Sequence, residues 1–578
     1  MAQETSVPRT GQIELSSFNL DPPLRPSVSP SQPISPVRPA PPISYESYLL
    51  EDSKTWFEKD IAVPMRDGVK LYANLYRPIE SICAKTPTIV LYSPFGKHGG
   101  VPPKFLDNMG VEFDSLSRYT LWENPDPLVW CAKYHYSLLI VDARATWNSE
   151  GDVAFYFSPE EGRDGYDVIE WIAEQPWNTG KVGWGAVSYF AMSAYHVASL
   201  KPPHLAAIMP WEGASDLYRE VSVLGGIPSP SFQHLWISLS GNGHSRCEDA
   251  ASHALAQPTF TPFWASKVVD WSHIDVPAFS VTGWSSLNLH LRGTIGAWNE
   301  FSSEKKYLWV HNMREWEAYY HPDGQRKQKA FWDRYLKGLP TEVDKWPAVE
   351  LQVREDFNKI SRTLLDTQWP PRDSKLAAFT LSEGKLTPGS ASVTATAPTY
   401  VSFISHEKSS KVTFDYTFTE RTEIVGNSSV RLFVQALQFP DVDLFVALQK
   451  INKTREEVKF YHQTQLVEAS ATHGWLRASH RAKDEARSQP GRPYHSHKQR
   501  KFLRAVDIVE VEVEIWPTAT VWEANETLRL VIQGRTFFNE ENPVSARVAA
   551  SHSYGEARVW FGGEYNSELL IPVISKAR

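Results

Sequence analysis

The amino-acid sequence predicts an α/β plus β architecture: a mostly parallel sheet covered by helices on both faces, then an antiparallel β-sandwich. Three observations carry this reading. Apolar strand runs alternate with helix-patterned segments as far as KYLWVHN, Lys306–Asn312, the rhythm of a sheet buried on both sides. Beyond about Pro347 the helical segments stop, and short stretches alternate apolar and polar residues on a two-residue period between turn signals. Within the first part, Gly180–Leu200 (GKVGWGAVSYFAMSAYHVASL) runs from an apolar strand through a sharp turn at Ser188 into a helix-patterned segment, the geometry of a nucleophile elbow. The usual Gly-x-Ser-x-Gly spelling is missing, because Ala186 and Phe190 occupy the glycine positions.

In chain order, residues 1–45 carry closely spaced prolines, as in DPPLRPSVSPSQPISPVRPAPP, and are expected to form a disordered tail, since proline at that density prevents a packed core. The core is expected over residues 46–216 and 273–346. It opens with KDIAVPMRDGVKLYANLYRP, two alternating strands about the turn Arg66-Asp67-Gly68. TIVLYSPFGKHGG and SLLIVDAR follow as buried strands, with Asp142 and Arg144 at the end of the second read as an internal ion-pair set. In DGYDVIEWIAEQPW, Val168, Ile169, Ile172 and Ala173 share one helical face. LAAIMPWEGASD, VPAFSVTGW and KYLWVHN supply three further strands. A site in such a sheet lies beyond the carboxyl ends of its strands. Residues 217–272 break the rhythm with GGIPSPSF and short helical patterns, and are expected to form a helical cap inserted over the sheet edge. GQRKQKAFWDRYLKG, Gly324–Gly338, reads as a closing helix with a glycine stop. Residues 347–578 then supply the sandwich, from VELQV to SELLIPVI.

Composition excludes several functions. A net charge of −8 with no long basic block argues against nucleic acid as a partner. No apolar run is long enough to span a bilayer, and the first residues lack a signal-peptide pattern. Three cysteines, Cys83, Cys131 and Cys247, fit a reducing compartment, so a cytoplasmic location is expected. No nucleotide fingerprint and no His/Cys cluster at metal-ligand spacing is present, so neither a cofactor nor a metal is expected. The expected partner is a small-molecule substrate, with a homodimer left open.

The stretches MRDGVKLYANLYRP, SPFGK, DGYDVIEWIAEQPWNTGKVGWGAVSY, WEGASD, FWDRYLKGLP, DVDLFVALQ, GWLRASHR and EIWPTA run in one order from about residue 55 to the C-terminus. Together they resemble the CocE/NonD family of α/β-hydrolases, related to the Xaa-Pro dipeptidyl peptidases. The resemblance implies an α/β-hydrolase core with a helical cap and a C-terminal jelly-roll β-sandwich. It also implies a serine esterase, amidase, acyl-transfer enzyme or peptidase. Site residues carry over one at a time. Ser188 matches the nucleophile, and Tyr189 would supply a backbone oxyanion donor. The family's second donor is a tyrosine hydroxyl; here SPFGK puts Phe95 at that place, and losing one such donor typically removes about 2.7–4 kcal/mol of transition-state stabilisation. The family's acid follows a Gly-Trp-aromatic-Asp turn, whereas this chain has Gly283-Trp284-Ser285-Ser286. The position of the family's histidine aligns with Glu315. Leu289–Gly293 (LHLRG) and His311–Trp316 are similar to stretches of a divergent branch of the family.

A serine hydroxyl needs an imidazole within hydrogen-bond reach to act as a nucleophile. His311, ending a core strand at the catalytic edge, is the first choice of base, and His290, after the neighbouring strand's turn, is the second. Glu212 and Glu315 are the alternatives for the orienting acid, and a triad defined by geometry permits such relocation. Trp284 and Trp316 are placed near the cleft as substrate contacts. Three functions stay open: a serine hydrolase or acyl-transferase on a small ester, thioester or amide; a non-hydrolytic isomerase, cyclase or C–C lyase using His/Glu proton transfer; and a non-catalytic pseudo-hydrolase.

Overall fold

The structure is a computed structural model that describes residues 39–98, 109–240, 242–287, 289–389, 397–462, 467–538, 551 and 553–574. The proline-rich stretch expected to be disordered falls, up to residue 38, outside the described residues.

The hairpin forms as its alternation and turn require. Strand β2 (Thr55–Pro64) pairs antiparallel with β3 (Lys70–Pro78), and a short strand β1 (Glu46–Leu49) adds to its outer edge. Gly68 holds φ 87° at the turn, where a side chain would be strained. The parallel part follows: β4 (Thr86–Ser93), β5 (Ser137–Asp142), β6 (Asn178–Val187), β7 (Leu205–Trp211), β8 (Ala278–Gly283) and β9 (Lys306–His311). Every residue of β4, β5 and β8 is buried, as expected of strands covered on both faces. The spatial order is β1–β2–β3–β5–β4–β6–β7–β8–β9, so the elbow strand β6 lies mid-sheet.

Helix α1 (Pro159–Ala173) begins on Ser158, whose hydroxyl accepts from the Glu161 N–H, with proline at its first position. It packs on α2 (Tyr189–Ser199) and on the elbow strand through Gly165. A Cβ at Gly165 would collide with Val197 Cγ2 and stand 2.8 Å from the Trp184 ring. Between β7 and β8 the chain forms α3 (Pro230–Ser240) and α4 (Ala250–Ala256). After β8 comes α5 (Leu291–Glu300), and after β9 come α6 (Glu315–Tyr320) and α7 (Pro322–Leu336), the closing helix.

Strand β10 (Val349–Arg354), the expected first strand of the sandwich, pairs in parallel with β9 through Leu308↔Val349 and so extends the core sheet. Its last residue, Arg354, reaches Thr520 of the C-terminal β domain, making the two sheets continuous. That domain is built about the antiparallel pair β11 (Thr422–Ala436) and β12 (Val509–Trp522). Val430, Leu432 and Val434 on β11 and Val511, Val513 and Ile515 on β12 are buried on alternate positions, the two-residue period seen in the sequence. Trp284, Trp475 and Trp516 join one apolar cluster where core and C-terminal domain meet.

Candidate active site

Ser188 occupies the turn between β6 and α2 at φ 61°, a left-handed conformation that non-glycine residues seldom adopt and that recurs at functional turns. Both sides of the turn are tied. The Ser188 N–H donates to the Trp211 carbonyl at 2.9 Å, and the Met192 N–H donates to the Ser188 carbonyl at 3.1 Å. Tyr189, next in the chain, is fully buried, and its hydroxyl donates to the Glu161 carboxylate. Ser188 is half-buried and lines a cavity. His290, Tyr189, Phe157, Trp236 and Glu248 line the same cavity.

His290 immediately precedes α5, and its N–H is bound to the Ser286 carbonyl at 3.2 Å. Its Nε2 lies 3.5 Å from Glu315 Oε1, and both side chains are almost wholly removed from solvent. The Ser286 hydroxyl donates to Glu315 Oε2 at 3.4 Å. The sheet explains the meeting. Strands β8 and β9 are parallel neighbours whose ends are in register (Gly283↔His311), so the loops that follow them lie side by side. Because β8 stands between β7 and β9, the loop carrying His290 is one strand nearer the elbow than the loop carrying Glu315.

His311 and Glu212 form a second pair, joined to the first through Ser286, whose hydroxyl is also a hydrogen-bond partner of Glu212. His311 is fully buried, its Nδ1 is 3.2 Å from the Met313 carbonyl, and its Nε2 is 3.9 Å from Glu212 Oε1. Burial pushes the His311 imidazole down to about 3. Glu212, itself at φ 57°, accepts from the Thr282 hydroxyl at 2.6 Å and from the Gly283 N–H at 2.5 Å. Burial raises its carboxyl to about 8 against those hydrogen bonds. Neither residue is among those lining the cavity beside Ser188.

The remaining expected contacts divide. Phe95 is half-buried, with its ring 6.3 Å from that of Phe190 and 6.4 Å from that of Trp236, and it brings no hydroxyl to the serine. Trp284 donates its indole N–H to the Gln352 carbonyl at 2.7 Å and packs 6.1 Å from Trp369, at the domain junction and away from the cavity. Trp316 donates to Glu123 at 3.0 Å and packs 4.8 Å from Trp122. Asp142 pairs with the buried Lys97 at 3.0 Å, and Arg144 pairs with Asp164 at 2.5 Å, so both act inside the core. Phe157, Trp236 and Glu248 had no signal in the sequence. They reach the cavity from the cap and from the segment before α1, whose path no periodicity specifies. Among the described residues, no three or more His, Cys, Asp or Glu are grouped to hold a metal ion, and no helix is long and apolar enough to cross a membrane.

The sheet order, the strained serine between β6 and α2 and the helix-containing insertion between β7 and β8 define an α/β-hydrolase core with a C-terminal β domain. Comparison with known proteins agrees. Residues 67–314 match the X-Pro dipeptidyl-peptidase (S15 family) model, and residues 341–570 match that of the X-Pro dipeptidyl-peptidase C-terminal non-catalytic domain. A CocE/NonD family hydrolase from Staphylococcus aureus is 32% identical, with 93% of this chain and 97% of that chain covered and a TM-score of 0.85. The cocaine esterase of Rhodococcus sp. (strain MB1 Bresler) is 26% identical over 385 residues, 56% of this chain. That match spans 62% of the esterase's length, less than two thirds. An aminopeptidase from a marine-sediment Thaumarchaeota archaeon is 15% identical, with 94% and 99% covered and a TM-score of 0.68, and shares the fold. The chain belongs to the CocE/NonD family.

Proposed function

We propose that the protein is a serine hydrolase or acyl-transferase acting on a small-molecule ester, thioester or amide. Ser188 is the nucleophile, His290 the base and Glu315 the orienting acid. The observation that carries this reading is the position of His290, which shares a cavity with Ser188 while standing 3.5 Å from a buried carboxylate. In this mechanism the Ser188 hydroxyl oxygen bonds to the substrate carbonyl carbon as its proton passes to the imidazole. Glu315 stabilises the resulting imidazolium. The leaving alcohol, thiol or amine departs with that proton, and the acyl group on Ser188 then passes to water or to a second acceptor. The Tyr189 N–H, first in α2, serves as one oxyanion donor. The C-terminal β domain, read as a jelly roll, braces the core from outside the reacting cavity. The similar proteins named as esterase, hydrolase and aminopeptidase favour acyl transfer to water.

An activated fluorophosphonate is expected to label Ser188, and Ser188→Ala to abolish turnover of p-nitrophenyl esters. Unlabelled protein together with a Ser188→Ala variant within about tenfold of the parent would overturn the reading. The apolar Phe95 at the second oxyanion position supports one alternative, a non-hydrolytic enzyme in which His290 and Glu315 move protons. Under it, Ser188→Ala keeps activity and His290→Ala does not.

A further inference from the structure

In the stretch Leu289–Gly293 (LHLRG), the reaction uses His290 and leaves a buried arginine two positions further on. Arg292 is the second residue of α5 and is 6% exposed. Its Nη1 donates to Glu220 Oε1 at 2.8 Å, and its Nε donates to Glu514 Oε1 at 2.9 Å. The two carboxylates belong to different parts of the chain. Glu220 is fully buried on a short helix, Tyr218–Ser222, between β7 and β8, whereas Glu514 is on β12 of the C-terminal β domain. Glu220 is itself fixed, because its Oε2 accepts from the Ser215 N–H at 2.6 Å and from the Asp216 N–H at 2.9 Å. Gly293 permits the close approach: a Cβ there would collide with Glu220 Oε2 and stand 2.5 Å from the Ser215 nitrogen.

These bonds join separate parts of the cavity lining. Leu289 and His290, just before Arg292, line the cavity, and so does Val221, next to Glu220. None of the described residues lining it comes from the C-terminal domain. One buried guanidinium thus connects the proposed base, a second stretch of the lining and a domain that stays outside the cavity. A planar guanidinium fixes direction as well as charge, which an ammonium does less completely. A reacting group displaced by about 1 Å can lose about a hundredfold in rate. We propose that Arg292 is a positioning residue that sets His290 toward Ser188 through its ion pairs with Glu220 and Glu514, so that the C-terminal domain contributes to acylation without touching the substrate. The proposal rests on the reading of His290 as the base.

Acylation of the full chain by p-nitrophenyl acetate, followed by stopped flow, tests it in three variants. Arg292→Met cuts both ion pairs and is expected to lower kcat about a hundredfold with KM within about threefold, because a misdirected base acts in the transition state. Arg292→Lys returns the charge and should recover at least about tenfold of that loss. Glu514→Ala cuts one arm, whose side chain is 13% exposed, and should lower kcat about tenfold. Removing one partner of a buried pair destabilises a fold, so circular dichroism and urea titration accompany each variant, and Glu514→Ala decides the matter if Arg292→Met does not fold. Arg529→Ala breaks the Arg529–Asp415 pair elsewhere in the C-terminal domain and should stay within about threefold of the parent. A folded Arg292→Met or a Glu514→Ala protein with kcat within about threefold, a loss confined to KM, or an equal loss in Arg529→Ala would overturn the proposal. Turnover that survives His290→Ala would overturn the reading of the base and the proposal with it. An inactive His290→Ala protein beside unaffected Arg292 and Glu514 variants would overturn the proposal alone.

Discussion

Glu315→Gln removes one charge from the proposed triad while keeping the side chain's size, and its effect can be worked from the structure. Glu315 Oε1 stands 3.5 Å from His290 Nε2. At the effective dielectric constant of about 20 that suits such sites, a carboxylate at 3.5 Å stabilises an imidazolium by about 4.7 kcal/mol. The charge on His290 exists only after it takes the serine proton, so this stabilisation belongs to the transition state and its loss falls on kcat. Each 1.36 kcal/mol is tenfold in rate, which gives a loss of about three thousandfold. The assay is stopped-flow release of p-nitrophenolate, which separates acylation from deacylation. Acylation is expected to slow by that factor with KM changed by less than about threefold. Glu212→Gln is the internal control: Glu212 lies 3.9 Å from His311 and is not among the residues lining the cavity, so acylation should stay within about tenfold of the parent. A loss of less than about tenfold in Glu315→Gln, or a larger loss in Glu212→Gln, would refute the assignment of the acid.

The same geometry separates the histidines. His290→Ala is expected to abolish acylation, while His311→Ala keeps it and loses about 2–4 kcal/mol of stability in urea titrations, as expected for emptying a fully buried position; an inactive but stable His311→Ala protein would reverse the roles. Acid should destabilise the fold through its buried neutral histidines. Burial holds His196, His473 and His480 at about 3 and His495 at about 4, below the unfolded value of 6.5, so stability present above pH 6.5 is lost toward pH 4. Each contributes about 1.4 kcal/mol per pH unit, opposed by Glu212, whose raised carboxyl favours the fold as pH falls from about 8 to 4.5, and by Glu123, Glu161, Glu220 and Glu248, which burial also raises. Unfolding midpoints that do not change between pH 7 and pH 5 would contradict this. Gly165→Ala should cost about 1–3 kcal/mol, because its Cβ meets Val197 and the Trp184 ring across the α1–α2 contact, and a thermal melt identical to the parent's would show that contact to be looser than described.

Much of the fold was legible because strand and helix periods are local. The runs at TIVLYS, SLLIVD and AFSVTG are buried along their whole length, as continuous apolar strands between covering helices must be. The turn at Ser188 was legible for the same reason, since an apolar strand feeding directly into a helix leaves the serine no other place. The domain junction was less so: Val349–Arg354 alternates like a sandwich strand, and only its pairing with Lys306–His311 makes it part of the core sheet. His311 was found at the end of its strand, as read. Which side of the sheet its ring takes depends on a period of two that one residue's shift reverses, and the ring rests between Met313 and Glu212. The His290–Glu315 approach joins two loops 25 positions apart and depends on the β8–β9 register, which no spacing encodes. Glu248 and Trp236 come from the cap, where neither period holds for long.

The resemblance implied an acid after β8 and a base after β9. The proposed triad has the imidazole after β8 and the carboxylate after β9. Parallel strands make this exchange physically simple. Their carboxyl ends present adjacent loops at the same level, and a His–carboxylate pair spanning two such loops has the same separation whichever loop bears which partner. The serine, however, is not symmetric with respect to the pair. It sits after β6, two strands from β8 and three from β9, so the imidazole on the nearer loop needs less reach than in the usual order. Ser286, standing where the usual acid would be, then serves the carboxylate as a hydrogen-bond donor instead. On this argument the absent aspartate and histidine do not mark a lost site. They leave Ser188 with the same three roles, filled from the same two loops in the opposite order.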